Sequence, residues 1–397
     1  MTFTARTGPL EDITIIDCSM AFAGPFGTAL LADLGANVIK VEPPSGDGFR
    51  PVPPFPPNYQ HAFKDSDEGA DYGMAFAGVN RNKRSICLDL KDAQDKEILL
   101  QLCEQADAVV ENMRTGVMDE LGLSYEVIRS RNPQIVYGAV RGYGDPRTGQ
   151  SPYSEWPCLD VAGQSAGGLV EATGDLFPVA IADIYPGTLM ALGLVSAVHK
   201  ARLTGTGEFF DVGMYDAVMT LLRSNIAAYS VTQREPKPGV SALVPFTLFA
   251  TADGRVAIAA PVERHWVFLC QAMGREDLIE DERTSSNAKR AANRAFTEGE
   301  ISAWSTTKTK QEIVDLLGGN VPVGPVNSLA DVFNDPHVAA RAMLETYQIQ
   351  GEGNPTATLA ANPIKFASSP TGLHHPPPLK GEHGAEILRE FGIKTGR

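Results

Sequence analysis

The chain is poor in the residue patterns that would tie it to metals, disulfides, membranes or nucleic acids. Its five cysteines, Cys18, Cys87, Cys103, Cys158 and Cys270, stand far apart and form no CxxC pair. That excludes a disulfide framework and a cysteine-based metal centre, and it fits a reducing compartment. The seven histidines are scattered as well, and the adjacent His374 and His375 sit among prolines, as in a solvated tail. No metal is expected. Basic residues number 34 against 48 acidic ones, a net charge of −14. Bulk nucleic-acid binding needs the opposite balance, although a local basic pocket on an acidic protein can still hold an anion. No uninterrupted apolar run reaches the roughly 18 residues of a membrane span, and MTFTARTGPLED lacks the apolar core of a secretory signal. A cytoplasmic location with no membrane partner is the expectation. No GxGxxG follows the first apolar run, and GxxxxGK[ST] occurs nowhere. The phosphate fingerprints of dinucleotide and nucleotide enzymes are therefore missing.

What is present is alternation. Ile13 to Asp17, Asn37 to Glu42, Ser85 to Leu90, Asp107 to Asn112 and Gln134 to Val140 read as short strands. Between them lie helical patterns, such as PFGTALLADLGA, which stops at Gly35, and residues 91–106, with Ile98, Leu99, Leu102 and Cys103 on one face. This βαβα order predicts an α/β fold built on an open, mostly parallel sheet. In such sheets ligands lie beyond the carboxyl ends of the strands. Asp17, Cys18, Glu42, Asn112 and Arg141 fall at those ends, as they would in a site or simply where strands leave a core. A helix over 186–202, apolar on nearly all sides, reads as buried, and Glu208 to Met214 reads as another strand. After about Thr232 the pattern changes. PFTLFATADGRVAIAA predicts a hairpin around Ala252, Asp253 and Gly254, and helices follow. Residues 321–338, punctuated by prolines, read as a linker. The proline-rich stretch 51–67 reads as a long loop, covering a site or decorating the surface.

Five candidates can carry chemistry. Asp183, in PVAIADIYPGTLMALG, precedes the apolar helix, with Pro186 placed as an early helical residue. It is either a helix cap or a carboxylate kept ionised by the helix amides and able to attack a carbonyl. Asp160 is its rival. Cys158 has no histidine near it in sequence to activate it. The basic run NRNKRS (80–85), with Lys83 and Arg84, is a phosphate contact or a solvated turn. GQSAGG (163–168) is an anion-binding turn or an ordinary one.

Several ordered segments then resemble one family. FAGPFGTALLADLGANVIKVEPPSGD (22–47), GVNRNKRSICLDLKD (78–92), ADAVVENMRTGVMDELGLSYEVI (106–128), IADIYPGTLMALG (181–193) and GTGEFFDVGMYDAVM (205–219) are similar to the signatures of CaiB/BaiF, or class III, coenzyme A transferases. Met113 and Thr115 depart from the family's usual Phe and Pro. The resemblance implies a Rossmann-like large domain over 1–225, completed by 331–397, and a smaller α+β domain over 226–330. It implies a homodimer of interlocked chains. It maps the catalytic nucleophile onto Asp183, and it places Ala21, Leu88, Lys91, Asn112, Met113 and Arg114 at or near coenzyme A. The substrates implied are an acyl-CoA and a small carboxylic acid, with no permanently bound cofactor. The stretch 234–246 has one glycine where some members carry a glycine run, so that loop mechanism is not carried over.

Two other readings remain at this point. The α-methylacyl-CoA racemases of the same superfamily use a His/Asp pair, with the Asp in a position resembling Asp160. No histidine stands between His61 and His199 to supply the pair. A non-catalytic acyl-CoA-binding relative is the second alternative.

Overall fold

The computed structural model describes residues 7–55, 72–235, 237–349 and 355–394. The proline-rich stretch expected at 51–67 lies, beyond residue 55, outside the described residues. The chain divides into two compact units, Met1–Pro236 with Ala340–Arg397, and Lys237–Ala339.

The first unit begins β1 (Thr14–Asp17), α1 (Ala23–Asp33), β2 (Asn37–Glu42), α2 (Met74–Asn80), β3 (Arg84–Cys87) and α3 (Ala93–Glu104). It continues β4 (Ala108–Glu111), α4 (Val117–Glu120), α5 (Tyr125–Arg131) and β5 (Val136–Arg141). Then come α6 (Asp160–Ala166), α7 (Leu169–Thr173), α8 (Ile181–Thr204), β6 (Phe209–Gly213), α9 (Met214–Leu221) and α10 (Arg223–Thr232). The strands form one six-stranded sheet in the order β3-β2-β1-β4-β5-β6, and every pairing is parallel. The strand order turns back between β1 and β4, the switch point where open α/β sheets hold ligands.

Both faces of the sheet are covered, which is why its strands read as continuous apolar runs. Neighbours on one strand serve opposite layers. Ile15 packs with Val38, Ala108, Met190 and Leu194 under α1 and α8. Ile16 packs with Ile39, Val109, Leu99 and Ile128 under α3 and α5. The third strand stops at Cys87 instead of reaching Leu90, because Asp89 accepts the Lys91 amide and turns the chain toward α3.

Two glycines set how α8 lies. A Cβ at Gly27 would come within 2.3 Å of the Gly187 carbonyl oxygen, and one at Gly187 within 2.3 Å of that of Ala23. The bare backbones let the start of α8 rest on the start of α1, directly after β1. The helix is not buried on all sides as its composition suggested. Ala182, Met190, Leu194 and Val198 are buried, while Leu192 and Leu203 are 65% and 74% exposed. By length and composition it could cross a membrane, yet one face is packed in this unit.

The C-terminal segment closes the β3 edge. Asn82 Oδ1 accepts the amides of His374 and His375 at 2.7 and 2.8 Å. His383 Nδ1 accepts the Ser85 amide at 3.2 Å. The Arg84 guanidinium pairs with Glu386 and Glu390 of the helix Gly384–Glu390.

In the second unit, β7 (Phe246–Thr251) and β8 (Gly254–Ala259) form the expected hairpin, with Thr251 opposite Gly254. Residues 321–338 are not a plain linker: β9 (Val323–Pro325) adds to β8 as a third antiparallel strand. Pro325 ends that edge strand, where a missing N–H costs little. Trp266 and Leu269 of α11 (Glu263–Met273) fill the core beneath.

Candidate functional site

The carboxyl ends of β1 to β4 surround a cavity of about 150 Å³, whose lining includes Met20, Leu88, Leu90, Lys91, Met113 and Leu121. Three of the residues expected at coenzyme A, Leu88, Lys91 and Met113, thus come together. Two more stand beside them. Asn112 clamps Met20 by accepting its amide at 2.8 Å and donating to its carbonyl at 2.7 Å. Ala21 takes a left-handed φ of 61°, and its amide donates to Asp47 Oδ1. Arg114 is exposed and does not line the cavity. The side chains of Lys91 and Arg114 make no ion pair among the described residues, so both cations are available to an anion.

The other polar groups at the strand ends are structural. Lys83 Nζ lies 2.9 Å from Asp17, Lys40 Nζ 2.8 Å from Asp47, and Arg50 2.6 Å from Glu42, all buried. Arg141 pairs with Glu111. Burial opposes the Asp17 charge, but Lys83 and Lys40 outweigh it and hold the carboxyl at about 2. The run 80–85 is therefore neither a phosphate contact nor a solvated turn. Lys83 and Arg84 are buried ion-pair partners, since a charge inside the protein is tolerated when it is paired and hydrogen-bonded. GQSAGG is no anion cradle either. It closes α6, and the Gly167 and Gly168 amides are spent on Gly163 and Ser165 carbonyls.

Asp183 sits in the first turn of α8. The helix starts at Ile181, five residues before the expected start, so Pro186 lies inside it. Asp183 is not the cap. The Ala182 amide donates instead to Asp160 Oδ1 at 2.9 Å, and Asp160 Oδ2 accepts Gln164 Nε2 at 2.8 Å. Among the described residues the half-buried Asp183 carboxyl makes no hydrogen bond. Burial, with the Asp160 charge second, pushes it up to about 7. The expectation of a firmly ionised group is corrected accordingly: burial and the Asp160 charge outweigh the help of the helix start. Such a carboxyl stands between its two protonation states at neutral pH, with its oxygens uncommitted. Asp160, the rival, has both oxygens engaged. Burial raises the Cys158 thiol, so it stays protonated and is a poor nucleophile. The Asp160–Gln164 pair escaped the sequence reading, although its i,i+4 spacing is a helical signal.

The comparisons with known proteins agree over the whole chain. The family model described as CoA-transferase family III matches residues 10–384. A succinyl-CoA:mesaconate CoA-transferase from Haloarcula hispanica is 40% identical, covering 98% of this chain and 98% of its own. An acetyl-CoA:oxalate CoA-transferase from Acetobacter aceti is 32% identical over 98% of this chain and 97% of its own. The crystal structure of a CaiB/BaiF family protein from Brucella suis superposes with a TM-score of 0.81 at 30% identity, covering 97% of this chain and all of that one. With its parallel α/β sheet and these relatives, the chain belongs to CoA-transferase family III and is a CoA-transferase.

Proposed function

We propose that this transferase works through covalent catalysis by Asp183, moving CoA from succinyl-CoA to a short dicarboxylic acid. The observation that carries the reading is the Asp183 carboxyl itself: half-buried, without a hydrogen bond among the described residues, and poised near neutrality. A nucleophile in that state has no bonds to break before it attacks.

The steps balance as four acyl transfers. The Asp183 carboxylate adds to the thioester carbonyl and expels CoA thiolate, leaving an aspartyl–acyl anhydride. The thiolate attacks the aspartyl carbonyl, frees the donor acid and leaves an aspartyl–CoA thioester. The acceptor carboxylate then displaces CoA to form a second anhydride. CoA thiolate finally attacks the acceptor's acyl carbonyl, yielding the new acyl-CoA and free Asp183. Exclusion of water conserves the thioester energy through both anhydrides.

In this reading the cavity at the β1–β4 ends receives part of CoA between Leu88 and Met113, with Lys91 and Arg114 near its phosphates. Ala21 and Asn112 shape the rim. The substrate pair is supported by the named activity of the Haloarcula relative. A homodimer fits the surface of the first unit, where no residue of α10 is buried and Ile226, Tyr229 and Val231 are exposed. None of the five cysteines is in a disulfide, which suits the cytoplasm. The test is to incubate the enzyme with succinyl-CoA, trap with hydroxylamine and map the modified peptide. An aspartyl hydroxamate at Asp183, lost in Asp183→Ala, is expected. The adduct at Asp160 instead would overturn the assignment.

A further inference from the structure

The transfer steps make no use of the clamp formed by Asp160 and Gln164. The buried Gln164 side chain holds Phe177 from both sides. Its Nε2 donates to the Phe177 carbonyl at 3.0 Å, and its Oε1 accepts the Phe177 amide at 2.9 Å. The same Nε2 donates to Asp160, which accepts the Ala182 amide. The chain entering α8 is thus fastened to α6 at residue 177 and again at residue 182.

Free amides at a helix start attract the nearest carboxylate, and an acid in the first turn is well placed to take one. Asp183 is that acid, yet the Ala182 amide is already committed to Asp160. We infer that Asp160 is a positioning residue of the transfer reaction: it caps α8 in place of Asp183, and so keeps the nucleophile's oxygens free of backbone bonds. This rests on Asp183 being the nucleophile.

The charge of Asp160 acts in the same direction, since a like charge nearby disfavours ionisation. Other charged groups on elements packed against α8 are engaged elsewhere. Arg141 of β5 pairs with Glu111 and Asp145, Asp211 of β6 accepts from Thr148 and the Asp145 amide, and Asp33 of α1 pairs with Arg81, while the Asp216 carboxylate in the first turn of α9 lies beside Gly213. On α1, Thr28 bonds Asp17, itself held by Lys83. The Cys158 thiol beside Asp183 stays protonated.

Two variants of the full-length enzyme test the inference, with succinyl-CoA and mesaconate as probe substrates. Asp160→Asn keeps an oxygen for the Ala182 amide, gives up the Gln164 bond and removes the charge. Its acid limb in kcat/KM should move down by about one pH unit. Asp160→Ala loses the cap as well. Its kcat should fall at least about tenfold, with KM for succinyl-CoA within about twofold, and Asn should restore most of that loss. A wild-type kcat in Asp160→Ala, or a loss that Asn does not restore, overturns the capping; an acid limb at the wild-type position in Asp160→Asn overturns the part played by the charge, and that readout stands even where Asp160→Ala fails to fold. Retention of activity by Asp183→Ala would instead sink the nucleophile assignment, so the two failures are distinguishable.

Discussion

Replacing Asp183 by Asn should make the enzyme more stable while abolishing transfer. The side chains are nearly isosteric, and the Asp183 carboxyl has no hydrogen bond among the described residues to lose. What changes is charge. The carboxyl is pushed from 3.8 to about 7 by burial and by Asp160, and three pKa units correspond to about 4 kcal/mol. Partial exposure screens the group, so about 2 kcal/mol is the working figure. The sign follows from linkage. Above pH 7 the carboxyl is ionised in both folded and unfolded chains, and the folded state bears the whole cost. Between pH 7 and about 4 the folded chain holds a proton that the unfolded chain has lost, so the cost shrinks as pH falls. Thermal unfolding followed at pH 8 and at pH 5 checks this: Asp183→Asn should melt above the wild type at pH 8, by a margin that narrows at pH 5. An equal or lower melting temperature at pH 8 would refute the account of Asp183 as a carboxyl held at an energetic cost.

Wild-type kcat/KM for succinyl-CoA should fall about tenfold from pH 8 to pH 6, since a group of pKa about 7 is ionised to roughly ten-elevenths and one-eleventh at those values; an acid limb near 4 contradicts it. Lys91→Ala should raise KM for succinyl-CoA about fivefold, the worth of roughly 1 kcal/mol for one charged phosphate contact, as read by steady-state kinetics. Asp17→Asn should destabilise the fold by about 3–5 kcal/mol, because Lys83 is left buried without its counter-ion; chemical denaturation measures the loss. Gly187→Ala should cost about 1–3 kcal/mol and lower kcat, because the added methyl meets the Ala23 carbonyl at 2.3 Å and lifts the start of α8.

Local pattern carried the fold well and the site unevenly. NVIKVE became β2 with the same ends, and DAVVEN became β4 within one residue at each end, because a strand buried on both faces shows itself over a few neighbouring residues. The strand-end acids were misleading for the opposite reason. Whether Asp17 is a site residue depends on Lys83, 66 residues away, and Glu42 on Arg50, which also reaches the Pro378 carbonyl. No short window holds both Asp17 and Lys83, whereas Glu42 and Arg50 stand eight residues apart but show no periodic pattern that would reveal their burial as a pair. Asp183 stood out in its segment, but its protonation depends on Asp160, 23 positions earlier, reaching an amide first. The outer face of α8 was misread because apolar composition does not say what covers it.

The strap over β3 bears on how the protein is made. Arg84 and Asn82 emerge from the ribosome some 300 residues before Glu390 and His375, which help satisfy them. Until residues 375–390 are made, the edge of the sheet carries open amides and charge short of its later partners, and synthesis at about 5–20 residues per second keeps it so for tens of seconds. The nascent chain can lay down all six strands by residue 213, but it cannot cover the β3 edge. A stop codon just before residue 374 would release a chain with a sticky strand edge, a species for chaperones and proteases and not for catalysis.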